Sequence, residues 1–442
     1  MRTDVVIVGA GIAGLSAAYE LTRRGRGVRV LEASRRAGGL IHTEHTGGFT
    51  IEAGPDSILN AKPAALTLIR ELGIASALQT VRPGARAFVL KGTVLHALPQ
   101  PSLLGIPLTA EALARYDLLS PAGRERIAIE PTIPPRRGDD DEAVGAFFRR
   151  RFGDEAVDLI AQPLLGGIHA GDIEQLSMRS LFPSLVARER EHGRVTIPAA
   201  PRGGDAGFSS LRGGMSTLVD ALVRSLPPGT IEFNASVRSL ADIDAGCTIL
   251  ALPAHAAAPL IAPLDADAAA LAATVPYVST ASVALAWPRA SVPHPLDGTG
   301  FVVSRRYSAV RITACTWVSS KWEDRAPDGT ALLRAFVGGA HDPAVAELPD
   351  DDLIAIVRRD LRDVMGITAA PSLARAYRWP RAGAQHVVGH LDRVAEIERR
   401  LAPHRVFVAG SGFRAVGIPD CVADGRRVAA AVTDALTERR RL

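Results

Sequence analysis

Gly9-Ala10-Gly11-Ile12-Ala13-Gly14 places three glycines between an apolar run, Asp4 to Val8, and a helical pattern from Leu15 to Arg24. Residues spaced this way can hold a pyrophosphate. Gly9 permits the tight turn, Gly11 lets the backbone approach the phosphates, and Gly14 lets helix and strand pack closely. The helix start adds unpaired N–H groups and a positive dipole end. Gly25 stops the helix, and a second apolar strand, Val28 to Leu31, ends at Glu32. Glu32, followed by Ala33, stands where ribose hydroxyls would donate. Strand, turn, helix, strand and acid occur in the order that a dinucleotide site requires, which leaves FAD and NAD both open.

Beyond Glu32, the stretch Arg36-Ala-Gly38-Gly39 resembles the Arg-x-Gly-Gly extension of the amine-oxidase-like flavoproteins. Arg36 would add a cation near the phosphates, and the two glycines would permit close backbone approach. Far along the chain, Arg405 to Gly410 again reads as a strand running into glycine, with Ser411 next. Val416-Gly417-Ile418-Pro419-Asp420 then precedes a helical segment from about Cys421 to Leu436. This second unit is expected to return and complete the cofactor domain. Its helix start, aimed at a flavin pyrimidine edge, would stabilise the anionic reduced ring. The plainer reading, a C-terminal helix with Pro and Asp as start signals, is compatible with it.

The elements that position these residues belong to a multidomain chain. Its 442 residues exceed what one core usually serves, and 47% hydrophobic with 22% charged residues suits a globular enzyme. Net charge is +4, with lysine only at positions 62, 91 and 321. This arginine bias is read as that of a high-GC bacterial genome, against the alternative that arginine forks were chosen for carboxylates; no nucleic-acid partner is expected. Three cysteines, 247, 315 and 421, show no metal-ligand spacing and point to a reducing, cytoplasmic setting. The uncharged stretch Gly246 to Leu264 is broken by Pro253, Pro259 and Pro263, so it is read as opening with a short buried strand and not as a membrane span. Arg149-Arg-Arg151 is read as a solvated helix face, with anionic lipid as the alternative.

Taken together the chain is similar, nearly end to end, to the protoporphyrinogen oxidase family, including its coproporphyrinogen-oxidising bacterial members. The resemblance rests on Gly54-Pro55-Asp56-Ser57 with Lys62-Pro63, on Pro163 to Asp172, and on Gly213-Gly214-Met215. Phe336 to Gly339 and Gly417-Ile-Pro-Asp-Cys421 with Gly425 complete it. It implies an α/β fold with three parts. These are a Rossmann-like, para-hydroxybenzoate-hydroxylase-like FAD domain (1–57, 205–260, 385–442), a mixed-sheet substrate domain (58–98, 261–384) and a helical membrane-association and substrate-access domain (99–204). Pro198 to Gly204 is read as a flexible crossing. The resemblance also implies FAD contacts from Gly9 to Gly14, Glu32, Arg36, Gly39 and Gly54 to Ser57, with Val237 near the adenine, Trp379 near the flavin and Gly417 to Pro419 beside the ring. Two departures stand out: Gly410-Ser411 replaces the common Gly-Asp, and Ala384-Gln385-His386 replaces a Pro-Gln-Tyr-like run.

The implied reaction removes six electrons from a porphyrinogen, with FAD as cofactor and O2 as acceptor, in haem biosynthesis, where another enzyme of the pathway is an expected partner. Peripheral contact at the inner face of the membrane is part of the same picture. No catalytic side chain and no metal are expected, and His169, His294 and His390 are read as structural or surface residues. Arg86, on an apparent strand, is expected to pair with a propionate, against the alternative of a solvated strand-edge arginine. Coproporphyrinogen III is favoured over protoporphyrinogen IX. Competing enzyme readings are an amine oxidase, which would want an aromatic cage in a chain only 5% aromatic, and a carotenoid desaturase. A non-catalytic GDP-dissociation-inhibitor-like binder is disfavoured by intact Gly9, Gly11, Gly14 and Glu32.

Overall fold

Parallel strands buried on both faces read as continuous apolar runs, and Val5 to Val8 is such a run, each residue at most 4% exposed. In the computed structural model, which describes residues 3–82, 85–197 and 207–439, Thr3–Val8 is the central strand of a five-stranded parallel sheet. Its order is Ile231–Glu232, Val28–Leu31, Thr3–Val8, Ala245–Leu250, Val406–Val408. The 198–204 crossing expected between domains lies outside the described residues.

Two compact units emerge. The first comprises Met1–Thr80, Asp205–Val275 and His390–Leu442 and contains the parallel sheet. The second comprises Val81–Gly204 and Pro276–Gly389. Residues 58–80 and 261–275, expected with substrate, thus fold with the first unit, and the helical stretch shares one unit with the mixed sheet. The functional roles given to the three parts remain a proposal.

Within the first unit the helices Ile12–Arg23 and Ile418–Arg439 pack on one another. A methyl group on Gly425 would lie 2.3 Å from the Ala13 carbonyl oxygen, so this crossing admits only glycine. The helix begins at Ile418, ahead of the expected Cys421, because Pro419 suits a first turn. The apolar stretch 246–264 divides into the Ala245–Leu250 strand and an Ala254–Ile261 helix. Among the described residues no helix is long and apolar enough to cross a membrane. All three cysteines are buried and outside any disulfide, and burial with nearby Asp424 and Asp420 pushes the Cys421 thiol up to about 12, which leaves it a packing residue.

The second unit is built on a seven-stranded sheet ordered Leu373–Ala384, Tyr277–Pro288, Thr330–Gly338, Ala314–Trp317, Gly298–Val303, Arg86–Lys91, Val94–Ala97. The Gly298–Val303 and Arg86–Lys91 pairing is parallel and the rest are antiparallel. Helix Asp350–Met365 supplies Leu353, Val357, Leu361 and Met365 to its core at i, i+4 spacing. Asp350, Asp351 and Asp352 suit the positive end of that helix.

The helix Val144–Phe152 corrects both readings of the arginine triplet. Arg149 pairs with Glu174 and Asp154, and Arg150 with Glu142 and Glu189. Arg151 is fully buried, its Nε 2.8 Å from Glu130 Oε1. These charges are occupied within the protein, leaving little for lipid. Burial pushes the Glu130 carboxyl up, but the Thr196 hydroxyl, the Val195 N–H and Arg151 outweigh it and hold it below the usual carboxylate range. Arg151→Met should therefore leave an uncompensated buried carboxylate and lower unfolding stability by ~3–5 kcal/mol at neutral pH in urea titrations. Since Glu130 is depressed when folded, its contribution exists above the unfolded pKa and is lost in acid, so the deficit should narrow below about pH 4. A midpoint equal to wild type at pH 7 would contradict this account.

Candidate cofactor site

The glycine turn has the geometry its spacing implies. Gly9 has φ +104°, and a side chain there would strike the Ala251 carbonyl oxygen at 2.5 Å. A methyl on Gly14 would lie 2.1 Å from the Gly9 oxygen, so the turn and the helix meet backbone to backbone. Gly11 differs, for a Cβ there would meet nothing within 4 Å. Leu15 N–H to Gly11 O, 2.9 Å, opens the helix, which sets the N–H groups of Ile12, Ala13 and Gly14 in its first turn. Open space before a helix N-terminus is what an incoming pyrophosphate needs.

The loop after the second strand closes over this turn. Gly38 N–H donates to Ala10 O at 2.8 Å, and a Cβ on Gly39 would come within 3.2 Å of the Gly11 Cα. Arg36 gives its guanidinium to the carbonyls of Ala37, Gly39 and Ile41, at 3.2, 2.7 and 3.1 Å. It shapes the loop from within. Burial pulls its pKa down, with Glu32 acting the other way. Glu32 Oε2 accepts from Ala10 N–H at 2.7 Å, and Oε1 from Ser34 N–H at 2.9 Å, with Ala33 exposed between. A carboxylate oxygen has two lone pairs, so ribose hydroxyls can still donate to it. Ala235 N–H to Glu32 O and Asn234 N–H to Ser34 O, 2.9 and 3.0 Å, bring half-buried Val237 to this end of the sheet.

Gly54-Pro55-Asp56-Ser57 follows the Phe49–Glu52 strand. Ser57 Oγ donates to Asp56 Oδ1 and Ser210 Oγ to the Asp56 carbonyl, both at 2.7 Å. Buried Glu52 accepts from Thr43 Oγ1 and from Met215 N–H, which fastens the Gly-Gly-Met turn to the same strand.

The C-terminal half arrives at the same place. Gly410, φ +104°, would carry a Cβ 3.5 Å from the Ala13 Cβ, so residues about 400 positions apart flank one helix start. Its N–H donates to buried Asp424 at 2.9 Å, and Asp424 in turn accepts from Arg427. Glu398 bridges Arg427 to Arg414, and fully buried His390 sets Nε2 2.6 Å from the Phe413 carbonyl. This bracing fixes the turn that carries Ser411 and Val416. Burial pushes the Asp424 carboxyl up, against Arg427 and the Gly410 N–H. Gly417 N–H lies 3.3 Å from Asp420 Oδ2, which also takes Lys62 Nζ at 2.7 Å. One donor expected to face the flavin is therefore shared with a carboxylate, while Ile418 and Pro419 begin the helix beside it. Asp424, Glu398 and Arg414 do not stand out in the sequence; only the i, i+3 spacing of Asp424 and Arg427 hints at them.

Two expected site residues belong to the second unit. Trp379 is half-buried on the Leu373–Ala384 strand opposite Thr280. Arg86 is exposed and paired with Asp297 at 2.6 Å, its guanidinium 5.5 Å from the Phe88 ring. The departing run after Trp379 proves structural: Gln385 and His386 are 5% and 1% exposed, and they bond to His169 O and Ser180 Oγ.

Comparison with known proteins decides the family. The model for flavin containing amine oxidoreductases matches residues 12–433. The chain belongs to that family. It is 36% identical over 469 residues to a coproporphyrinogen III oxidase of Bacillus subtilis, covering 99% of this chain and 98% of the relative. A coproporphyrinogen III oxidase of Propionibacterium freudenreichii is 34% identical, over 98% and 91% of the two chains. A crystal structure from Exiguobacterium sp. 255-15, provisionally assigned as a protoporphyrinogen oxidase, superposes with TM-score 0.87 at 30% identity, covering 98% of this chain and 99% of that one.

FAD is the cofactor, and the first unit fits it. Open space at Gly11, Glu32 on the Ala10 N–H and a braced glycine turn about 400 residues away lie around one helix start. Gly11→Ala should fold with an unchanged melting temperature in its apo form yet lose the flavin absorbance, because only the ligand's space is filled. Gly14→Ala should destabilise the apo protein as well, because its methyl meets backbone. Purification of Gly11→Ala as a fully yellow protein would refute this assignment.

Proposed function

We propose that the protein oxidises a porphyrinogen to the porphyrin by removal of six electrons, with coproporphyrinogen III preferred to protoporphyrinogen IX, in haem biosynthesis. Three O2 accept the electrons and leave as three H2O2, which balances the six electrons and six protons removed. The observation that supports this reading is an open, braced glycine turn in a chain that aligns end to end with relatives named coproporphyrinogen III oxidase.

Bound FAD supplies a hydride acceptor and a path for electrons to O2. The chain's own part is orientation and electrostatics. Glu32, Arg36, Asp420 and Asp424 are each committed to backbone or counter-ion contacts. They brace the cradle, and none is held in reserve as a general base. Gly11, with no side chain, keeps the helix N-terminus accessible to phosphate charge.

Arg86 keeps a role in this reading as a cation for a substrate carboxylate, with Asp297 as the resident anion that must be displaced. Aerobic turnover of the two porphyrinogens side by side tests the whole, with porphyrin fluorescence and peroxide as readouts. Coproporphyrin III should form faster, with about three H2O2 per porphyrin, the stoichiometry of a six-electron cofactor oxidation by O2. Reaction with neither substrate would return the chain to the amine-oxidase or desaturase readings. On the Arg86 account, Asp297→Asn should lower KM and Arg86→Gln raise it, each by roughly threefold, as for an exposed ion pair. Unchanged KM in both would leave Arg86 a surface residue.

A further inference from the structure

Arg305 follows the Gly298–Val303 strand, and its neighbours are both tied to one residue. Ser304 Oγ donates to Asp158 O at 3.0 Å, and Arg306 pairs with the Asp158 carboxylate at 2.6 Å. Arg305 is left between them. Its Nη1 is buried and has no hydrogen-bond partner among the described residues. Asp342, the acid nearest in charge terms, gives both carboxylate oxygens to Arg311. Burial pulls the Arg305 pKa below the ordinary arginine value, with Asp342 raising it and Arg311 lowering it. A shielded guanidinium N–H without an acceptor is unfavourable unless a ligand supplies one.

The space beside it is shaped to admit such a ligand. Arg305 lines a small, partly open cavity with Gln162, Gly166, Ala170, Thr313 and His341. One wall is Val157–Gly166, wound as a π-helix with Pro163 inside it, a wide winding that recurs at functional sites. Gly171 N–H to Gly166 O and Ala340 N–H to Ala170 O hold that wall to the end of the Thr330–Gly338 strand. A methyl on Gly339 would strike the Ala170 oxygen at 2.5 Å, so glycine is what lets the two meet. Both glycine-bearing stretches, Pro163 to Asp172 and Phe336 to Gly339, are prominent in the sequence without a chemical role. The enclosed space is small and opens to solvent, so it suits the tip of an acidic arm, not a macrocycle.

We infer that this cavity is a carboxylate subsite in which Arg305 grips one acidic arm of the substrate. The inference rests on the porphyrinogen reading for the identity of that arm, a propionate. Both porphyrinogens carry propionates, and coproporphyrinogen has two more where protoporphyrinogen has vinyl groups; the arm assigned to Arg305 is one of those two, which makes Arg305 a specificity residue for the more acidic substrate.

The test uses the FAD-loaded, full-length protein as wild type, Arg305→Gln and Arg305→Lys. Steady-state kinetics on both porphyrinogens is joined by equilibrium titration with coproporphyrin III and protoporphyrin IX, read by fluorescence. Loss of one charge-assisted hydrogen bond predicts that Arg305→Gln raises KM and Kd for the coproporphyrin series roughly tenfold. Values for the protoporphyrin series and kcat should change less than about twofold, and the flavin spectrum should not change. Arg305→Lys should recover part of the loss. Equal loss on both series, or none, overturns the subsite. If wild type turns over neither porphyrinogen, the functional reading fails on its own, and the titrations still judge the site: coproporphyrin III bound by wild type and not by Arg305→Gln keeps it, and indifferent binding removes it. Should Arg305→Gln lose its flavin, the same split, smaller in size, must appear in Arg305→Lys.

Discussion

At Gly9, Gly14 and Gly425 backbone meets backbone without an intervening side chain, and the placing of the glycine turn depends on these contacts. Gly14 closes on the Gly9 carbonyl, Gly9 on the Ala251 carbonyl, and Gly425 on the Ala13 carbonyl. Each approach is at a distance that no Cβ tolerates. Together they pin the glycine turn between the strand that precedes it, the neighbouring Ala245–Leu250 strand and the C-terminal helix. The helix start is thereby held open in front and packed tightly behind. Adding one methyl at Gly14 or Gly425 would separate elements, whereas adding one at Gly11 would alter only the room for the ligand.

Polar groups around the turn then serve geometry before chemistry. Glu32 braces Ala10, Arg36 wraps its own loop's carbonyls, and Asp424 holds Gly410. The chain Gly410–Asp424–Arg427–Glu398–Arg414 is a run of charge-assisted contacts, each stronger than a neutral hydrogen bond and each satisfying its neighbour. A flavin oxidase gains from such rigidity, because orientation is most of what protein adds to the cofactor's reactivity.

Legibility in the sequence depends on the range of the signal. Gly9 to Gly14, Glu32 and the Gly38–Gly39 pair form one local unit, so spacing alone locates them. Gly410 and Gly417 are legible as a second strand-to-helix turn, and the resemblance joins them to the first. Asp424 is not legible, since nothing near it in sequence says that a buried carboxylate will meet the Gly410 N–H. The triplet Arg149–Arg151 shows the same limit. A run of three charges reads as surface, yet Arg151 is wholly buried because Glu130, 21 residues earlier, lies beneath it. The units, too, depend on long-range pairing: the Ile58–Leu59 and Leu78–Thr80 strands join the first unit through Phe208–Leu211.

Arginine is where composition misleads most, and the reason is electrostatic. In a chain with 51 lysines and arginines against 47 acids, many guanidiniums pair with carboxylates and others with backbone carbonyls, so abundance says nothing about ligand binding. Arg86 is the cation expected for substrate and has Asp297. Arg305 carries no signal in the sequence and has its Nη1 buried beside a cavity with no acceptor. Leaving a guanidinium so placed costs stability that a nearby acid could have offset by a single substitution. Asp342 is close enough to be that acid and is instead held in a two-pronged pair by Arg311. An arrangement that diverts the available counter-ion and leaves the cation facing open volume is stable to best advantage only with an anion bound. On that ground the unsatisfied charge, and not the paired one, is where discrimination between acidic substrates is placed.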